Sequence, residues 1–175
     1  MYNFESLNIY RPNTTSRVDL DTKNGLKCVH YGDIYKHLDN KTIQSSAITN
    51  HFSKEIKQHK ILFDDSIIMP DVTETISDFG HFVYIEYDGT PYINGTHTFA
   101  ITGERNFLKY LFYNLQSYTT RLTLRQLLKG DTVFQLSYND IKCFRLPVVH
   151  HTQQQQHIVD IITKLTNLIL CLVFP

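Results

Sequence analysis

The sequence is poor in the features that mark disulfide-stapled or membrane-bound proteins. It has three cysteines, Cys28, Cys143 and Cys171, and an odd number without paired metal-ligand spacing argues against a disulfide framework or a zinc knuckle. The longest apolar run, residues 168–174, is too short to cross a bilayer. Residues 1–5 lack the basic start and apolar stretch of a signal peptide. We therefore expect a cytoplasmic protein with reduced thiols and no membrane contact.

Tryptophan is absent, and no tract is biased enough in composition to indicate disorder. The 11 tyrosines and 11 phenylalanines supply apolar area for a core. A chain of 175 residues suits one ordinary domain with an appendage. We expect residues 1–150 to form that domain and residues 151–175 to form an appended helix.

The chain carries no net charge, which argues against binding of nucleic acid through bulk electrostatics. The charges are nevertheless segregated along the sequence. Residues 61–104 contain no Lys or Arg, whereas residues 105–129 contain cations and no carboxylate. Residues 105–129 can therefore form a local basic surface, although two solvated faces of opposite charge explain the pattern equally well.

The distribution of apolar residues predicts a mixed α/β (α+β) fold with a twisted mixed β-sheet and short helices. The first 21 residues show little periodicity, and we expect them to be irregular. Strands are predicted where β-branched and aromatic residues cluster, at 26–29, 31–35, 61–63, 67–69, 81–87, 92–93, 96–102 and 133–136. A helical period predicts helices at 105–117, at 122–128 and from about Gln153 onward.

The final helix carries an apolar stripe typical of a coiled coil. The stripe consists of residues spaced alternately three and four apart: Ile158, Ile161, Leu165, Leu168 and Leu172. A wide apolar stripe on an appended helix is unfavourable in water. We therefore expect this helix to pair with another helix.

A series of short motifs runs along the chain from about Phe4 to Leu168. The motifs are residues 31–34, the Asp65 turn between apolar strands, and residues 80–86, 94–102, 107–115, 130–132 and 136–137. Residues 141–147, followed by residues 153–158 and the heptad helix, close the series. In order and spacing, the series resembles a target-recognition domain and part of the conserved helix of type I restriction-modification specificity subunits.

The resemblance implies a domain that grips a few base pairs of double-stranded DNA in one half of a split site. The helix would be a spacer that docks on methyltransferase subunits and, through them, on the restriction subunit. Methylation and cleavage belong to those subunits, so the resemblance implies no catalytic residue and no cofactor here. A full-length specificity subunit has two recognition domains and two long helices. The chain is therefore expected either to pair with a second copy of itself or to be a truncated interaction protein that binds modification subunits without reading DNA.

Under this resemblance, long basic, amide and aromatic side chains are the candidate DNA contacts. They are Tyr31, Lys36, Arg105, Lys109, Tyr118, Arg121, Arg125, Gln126 and Lys129. Arg and Gln can read guanine and adenine by paired hydrogen bonds, and Lys and Arg can bind phosphates. For each of these residues, a solvated position on the surface is the alternative.

Chemical alternatives find less support in the sequence. There is no glycine-rich turn after a strand and no Pro-Pro-Tyr or Pro-Pro-Phe motif of a methyltransferase, and no lysine follows Asp71 before Lys109, as a nuclease motif would require. The histidines, above all His150, His151 and His157, raise the hypothesis of a metal-dependent phosphoesterase. Their spacing is wrong for one compact site, so we predict no bound metal.

Overall fold

The protein is described by a computed structural model that covers residues 2–4, 7–15, 20–21, 24–149 and 151–173, without the side chains of residues 2, 3, 21 and 169–173. The strands are β1 (Tyr2–Asn3), β2 (Asn8–Tyr10), β3 (Leu20–Asp21), β4 (Leu26–Val29), β5 (Lys41–Gln44), β6 (His51–Phe52), β7 (Ser66–Pro70), β8 (Val72–Thr73), β9 (Val83–Glu86), β10 (Tyr92–Asn94), β11 (Thr98–Thr102), β12 (Phe134–Gln135) and β13 (Arg145–Leu146). The α-helices are α1 (Tyr31–Asp33), α2 (Arg105–Leu115), α3 (Tyr118–Arg125), α4 (Tyr138–Lys142) and α5 (Thr152–Val173).

A five-stranded sheet in the order β2-β11-β7-β9-β5 forms the centre of the fold. Its strands are antiparallel except β5, which runs parallel to β9 at one edge. A second sheet has the order β10-β4-β6-β3, with β10 parallel to β4. Two short antiparallel pairs, β1 with β13 and β12 with β8, tie distant segments of the chain together. The mixed α/β fold predicted from the sequence is confirmed.

The central sheet is buried on both faces because alternate side chains of a strand point to opposite sides. In β7, Ile67 and Met69 belong to a core shared with the helices, while Ile68 belongs to a core shared with the second sheet. Tyr84 of β9 likewise faces the helices, and its neighbour Val83 faces the second sheet. The molecule therefore has three layers: helices, central sheet and second sheet.

Helix α5 packs against α2. Val159 is buried, and the Tyr113 hydroxyl lies 3.2 Å from Oγ1 of Thr163. At the start of α5, the buried amide of Gln155 donates to the carbonyl of Val149 at 2.6 Å. The helix is thus fixed to the body of the protein along one side. In the part of the chain that the structure describes, no helix is long and apolar enough to span a membrane.

Four secondary-structure predictions were wrong. Residues 31–35 are helical, not extended: α1 continues into a π-helical turn at Ile34–Leu38, and His30 caps α1 by accepting a hydrogen bond from the Gly32 amide. The entry is not irregular, since β2 pairs with β11 in the central sheet. Residues 61–63 form only one bridge, between Leu62 and Tyr92, and α3 starts at Tyr118, four residues earlier than predicted.

We predict that replacing Gly25 by Ala destabilises the protein far more than the same change at Gly89. Both glycines have a left-handed backbone, with φ of +111° and +102°. A Cβ at Gly25 would clash with the carbonyl oxygen of Phe52 on the neighbouring strand, whereas a Cβ at Gly89 would meet open space. In urea unfolding, we expect Gly89→Ala to cost about 1 kcal/mol and Gly25→Ala at least about 2 kcal/mol. Equal losses would show that the two turns do not differ in this way.

Candidate nucleic-acid interface

Helix α3 carries three of the predicted DNA contacts, Tyr118, Arg121 and Arg125, and Gln126 follows it as the C-cap. Ser117 caps it by accepting a hydrogen bond from the Thr120 amide, and Leu124 anchors it in the core at 0% exposure. Tyr118 and Gln126 are exposed at the two ends of the helix, Tyr118 to 71%. The outer surface of α3 therefore offers one aromatic ring and one amide to a ligand.

The two arginines of α3 bind backbone and side-chain oxygens of the domain. Arg121 donates from Nη2 to Oδ1 of Asn40 at 2.7 Å, and Arg125 donates from Nε to the carbonyl of Phe79 at 3.0 Å. These acceptors are neutral, so neither hydrogen bond cancels the charge of the arginine. Both arginines are half-buried, and these hydrogen bonds fix the position of their guanidinium groups.

A carboxylate also lies beside Arg121. Asp39 pairs with Nδ1 of His81 at 3.0 Å and accepts a hydrogen bond from the Phe82 amide at 3.2 Å. Burial alone would raise the pKa of Asp39, but the hydrogen bond and charge of His81 outweigh it, with help from Arg121, and the pKa is lowered. Asp39 is therefore ionised at neutral pH and moderates the positive potential at this end of α3.

The remaining cations of residues 105–129 form ion pairs within the domain. Nε of Arg105 lies 2.8 Å from Asp65, Nζ of Lys109 lies 2.7 Å from Glu86, and Nζ of Lys129 lies 2.9 Å from Asp140. Asp65 and Glu86 belong to residues 61–104, the acidic stretch that lacks Lys and Arg. In two of these pairs, the acidic stretch therefore contacts residues 105–129, the basic stretch that lacks carboxylates. Charge balance accounts for these three cations, as the alternative interpretation of the sequence allowed.

Asp65 is the most connected of these acidic groups. It is 8% exposed and accepts hydrogen bonds from the hydroxyl of Tyr84 at 2.8 Å and from the amide of Tyr87 at 2.9 Å, besides pairing with Arg105. Burial and the neighbouring carboxylate raise the pKa of Tyr84, so its hydroxyl stays a donor. Asp65 therefore links the turn before β7, the strand β9 and the start of α2.

Tyr31 and Lys36 lie on α1 and the π-helical turn that follows it. Tyr31 lines a cleft of about 440 Å³ together with Tyr35, Glu74, Asp78 and others, whereas Lys36 is exposed. The Tyr35 ring packs on His81, with 4.7 Å between the ring centroids, and His81 pairs with Asp39. The residue after Asp39 is Asn40, which accepts the hydrogen bond from Arg121. The α1 region and α3 thus belong to one continuous surface.

The histidines do not converge on one site. The Tyr31 ring contacts His30 at 4.5 Å and meets His97 edge-on at 5.7 Å between centroids. His97 pairs with Asp71 at 3.4 Å, and burial raises the pKa of Asp71. His151 and His157 are exposed, and His150 lies outside the described residues. In the described ranges of the chain, no group of three or more His, Cys, Asp or Glu side chains could hold a metal ion.

The predicted apolar stripe on α5 faces away from the domain. Ile161, Leu165 and Leu168 are 44%, 54% and 60% exposed, and Ile158 is half-buried. The side chain of Leu172 lies outside the described residues. The opposite side of α5 packs on α2, so the exposed stripe is available to a partner.

The partners that hold the arginines of α3 were not found from the sequence. Asn40 lies 81 residues before Arg121, and Phe79 lies 46 residues before Arg125. No local pattern in the sequence marks such distant contacts. The clustering of charge by sign was the only feature that indicated ion pairing.

Three solved structures are similar to this chain along almost its whole length. The first is the S subunit of a type I restriction-modification system from M. genitalium, with 11% identity and a TM-score of 0.62 over 95% of this chain. The second, from work on complex assembly and conformational transition of the type I R-M system, has 13% identity and a TM-score of 0.63 over 96% of this chain. The third is the HsdS subunit from Thermoanaerobacter tengcongensis, with 11% identity and a TM-score of 0.67 over 98% of this chain. The chain spans 38% of the length of each. The fold is thus the one found in type I specificity subunits.

A family model places the chain more closely. The model for the type I restriction modification DNA specificity domain matches residues 18–171. The chain belongs to this family, and the resemblance derived from the sequence motifs is confirmed. A search of curated proteins found no match.

We predict that Asp65→Ala destabilises the fold by about 2–4 kcal/mol, because it leaves the hydroxyl of Tyr84 and the amide of Tyr87 without their acceptor. The matched control is Asp64→Ala, since the Asp64 side chain is exposed and the hydroxyl of Tyr92 binds its backbone carbonyl, which the substitution keeps. We expect the control to change stability by less than about 0.5 kcal/mol in urea unfolding. Similar effects of the two substitutions would contradict the assignment of Asp65 as the linking group.

Proposed function

We propose that this chain is a non-catalytic DNA-reading module of a type I restriction-modification system, acting in the cytoplasm. It reads one half of a split DNA site and directs the methyltransferase and restriction subunits to that site. The observation that carries the proposal is the match of the specificity-domain family over residues 18–171. In this proposal, residues 1–150 contact DNA and residues 151–175 contact protein.

The surface of α3 supports the reading role. Tyr118 and Gln126 are exposed, and Arg121 and Arg125 hydrogen-bond to neutral acceptors, although Asp39 offsets part of the charge of Arg121. An exposed amide can pair with adenine, and guanidinium groups can bind guanine or phosphate. Lys36, exposed on the adjoining surface, adds positive charge.

The exposed stripe of α5 supports the docking role. An apolar face of this kind is stabilised when a second helix covers it. The partner is a helix of a methyltransferase subunit or of a second copy of this chain. The restriction subunit then joins through the methyltransferase subunits.

The proposal predicts that the tagged chain co-purifies with its cognate methyltransferase subunit. It further predicts that cells expressing both acquire a methylated DNA motif that depends on this chain, detected by methylation-site sequencing. Co-purification without a motif would contradict the reading role and leave an interaction protein. Absence of both would contradict the proposal as a whole.

A paired set of α5 variants tests whether the stripe makes the contact. Ile161→Glu with Leu165→Glu places charge on the exposed apolar face, and we expect it to abolish co-purification. Gln153→Glu with Asn167→Glu adds the same charge at exposed positions off the stripe, and we expect it to retain the complex. Equal behaviour of the two variants would exclude the stripe as the contact.

We predict that Arg121→Ala with Arg125→Ala weakens DNA binding and lowers its salt dependence. If both arginines contact phosphates, the slope of log affinity against log salt falls by about 2, because each contact contributes about 0.9. Fluorescence anisotropy with a labelled duplex at several salt concentrations measures this slope.

The conservative variant Arg121→Lys with Arg125→Lys separates charge from structure. It keeps both charges but cannot form the same paired hydrogen bonds to a base. We expect its salt slope to match that of the wild type. An unchanged slope in the alanine variant would show that α3 does not bind phosphates.

A further inference from the structure

A cleft around Tyr138 carries cations without carboxylates. It has two adjoining parts, cavities of about 410 and 480 Å³ whose linings share Tyr138 and residues of β2. Arg11, His59 and Lys60 line the first part, and Lys142 lines the second. Among the residues that the structure describes, no Asp or Glu lines either part. We call this surface, formed by Arg11, His59, Lys60, Tyr138 and Lys142, the Tyr138 cleft.

Two other clefts of the domain contain carboxylates. Glu74 and Asp78 line the cleft that contains Tyr31, and Glu86 lines the groove between α5 and the β5 edge of the central sheet, together with Lys41 and Lys109. Carboxylates at these positions repel a phosphate, since like charges that face each other are unfavourable. Charge complementarity to a polyanion therefore favours the Tyr138 cleft.

Arg11 is held in place on the Tyr138 cleft. Its guanidinium carbon lies 3.9 Å from the centre of the Tyr138 ring. The backbone carbonyl of Arg11 accepts a hydrogen bond from Nδ2 of Asn94 at 3.1 Å, and Nδ2 of Asn13 donates to the carbonyl of Asn94 at 2.8 Å. The side chain therefore loses little freedom when it binds a ligand.

Lys60 and Lys142 differ from the lysines of the basic stretch. Lys109 and Lys129 are neutralised by Glu86 and Asp140. Lys60 and Lys142 form no ion pair with the described residues, and Lys142 is exposed one turn after Tyr138 on α4. Their charges are therefore available to a partner.

We infer that the Tyr138 cleft binds the phosphate backbone of DNA, with Arg11, Lys60 and Lys142 as the contacting cations. The inference rests on the proposed function and adds to it a second surface, outside residues 105–129. Unpaired Lys and Arg side chains that line a cleft free of carboxylates bind phosphates whatever the base sequence. The cleft thus contributes affinity and position, while base reading occurs elsewhere.

The experiment compares two double variants of the full chain in DNA binding. Lys60→Ala with Lys142→Ala removes two cations of the cleft and leaves the contact of Arg11 with Tyr138 intact. The control, Lys41→Ala with Lys164→Ala, also removes two exposed lysines. Lys41 lies on β5, the edge strand opposite β2 in the central sheet, and Lys164 lies on α5. Fluorescence anisotropy with a labelled duplex of arbitrary sequence, at several salt concentrations, gives affinity and salt slope.

We expect the cleft variant to lose roughly ten-fold in affinity and to lower the salt slope by about 2, while the control matches the wild type. Circular dichroism spectra of both variants should match the wild type, because neither pair of side chains is buried. The inference would be overturned if the cleft variant bound DNA with wild-type affinity and an unchanged salt slope, or if both variants lost affinity equally. Either result would leave the proposed function standing. A wild-type chain without salt-dependent DNA binding would overturn both.

Discussion

The fold depends on the burial of the central sheet on both faces. Each strand of its middle must place apolar side chains on both sides, as β7 does with Ile67, Ile68 and Met69, all at 0% exposure. The sheet therefore needs two covering layers, and these are the helices on one side and the second sheet on the other. Because both layers are committed to this burial, function has to be built at the edges and outer surfaces.

The same constraint decides which charges are free. A polar group at the end of a buried strand must be satisfied within the protein, since an unpaired buried group is costly. Asp65 and Glu86 flank buried strands, and they take Arg105 and Lys109 from the basic stretch. The positive charge of residues 105–129 is thus partly used for stability. Arg121 and Arg125 instead hydrogen-bond to neutral acceptors, with Asp39 near Arg121.

The regular periodic elements were predictable from the sequence, and so was the family. Helix α2, strands β7, β9 and β11 and the start of α5 follow from apolar periods of 3.6 or 2 residues. The α1 region was mispredicted because Tyr31, Ile34 and Tyr35 suit a strand in isolation, while the capping of the helix by His30 and Asp33 overrides that preference. Strand β2 has only three residues and is recognisable as a strand only through its pairing with β11.

The candidate site was harder to predict because it depends on long-range contacts. Arg121 and Lys109 are both cations within residues 105–129, and the sequence does not tell their partners apart. In the structure Arg121 binds Asn40, whereas Lys109 binds Glu86. Lys60 and Lys142 lie 82 residues apart, so no local pattern in the sequence brings them together. They line adjoining cavities because β2, which lines both, joins the central sheet beside α4.

The arrangement places two of the proposed contacts, the Tyr138 cleft and the exposed stripe of α5, at opposite edges of one sheet, whereas α3 lies near the β5 edge, where Arg121 binds Asn40. The Tyr138 cleft adjoins β2, whereas α5 lies along the groove that contains Lys41 and Thr42 of β5, the other edge strand. A partner helix on the exposed stripe of α5 would therefore leave the Tyr138 cleft open. In the proposed function the chain contacts DNA and a modification subunit at the same time, and the doubly buried sheet holds the Tyr138 cleft and the stripe of α5 apart.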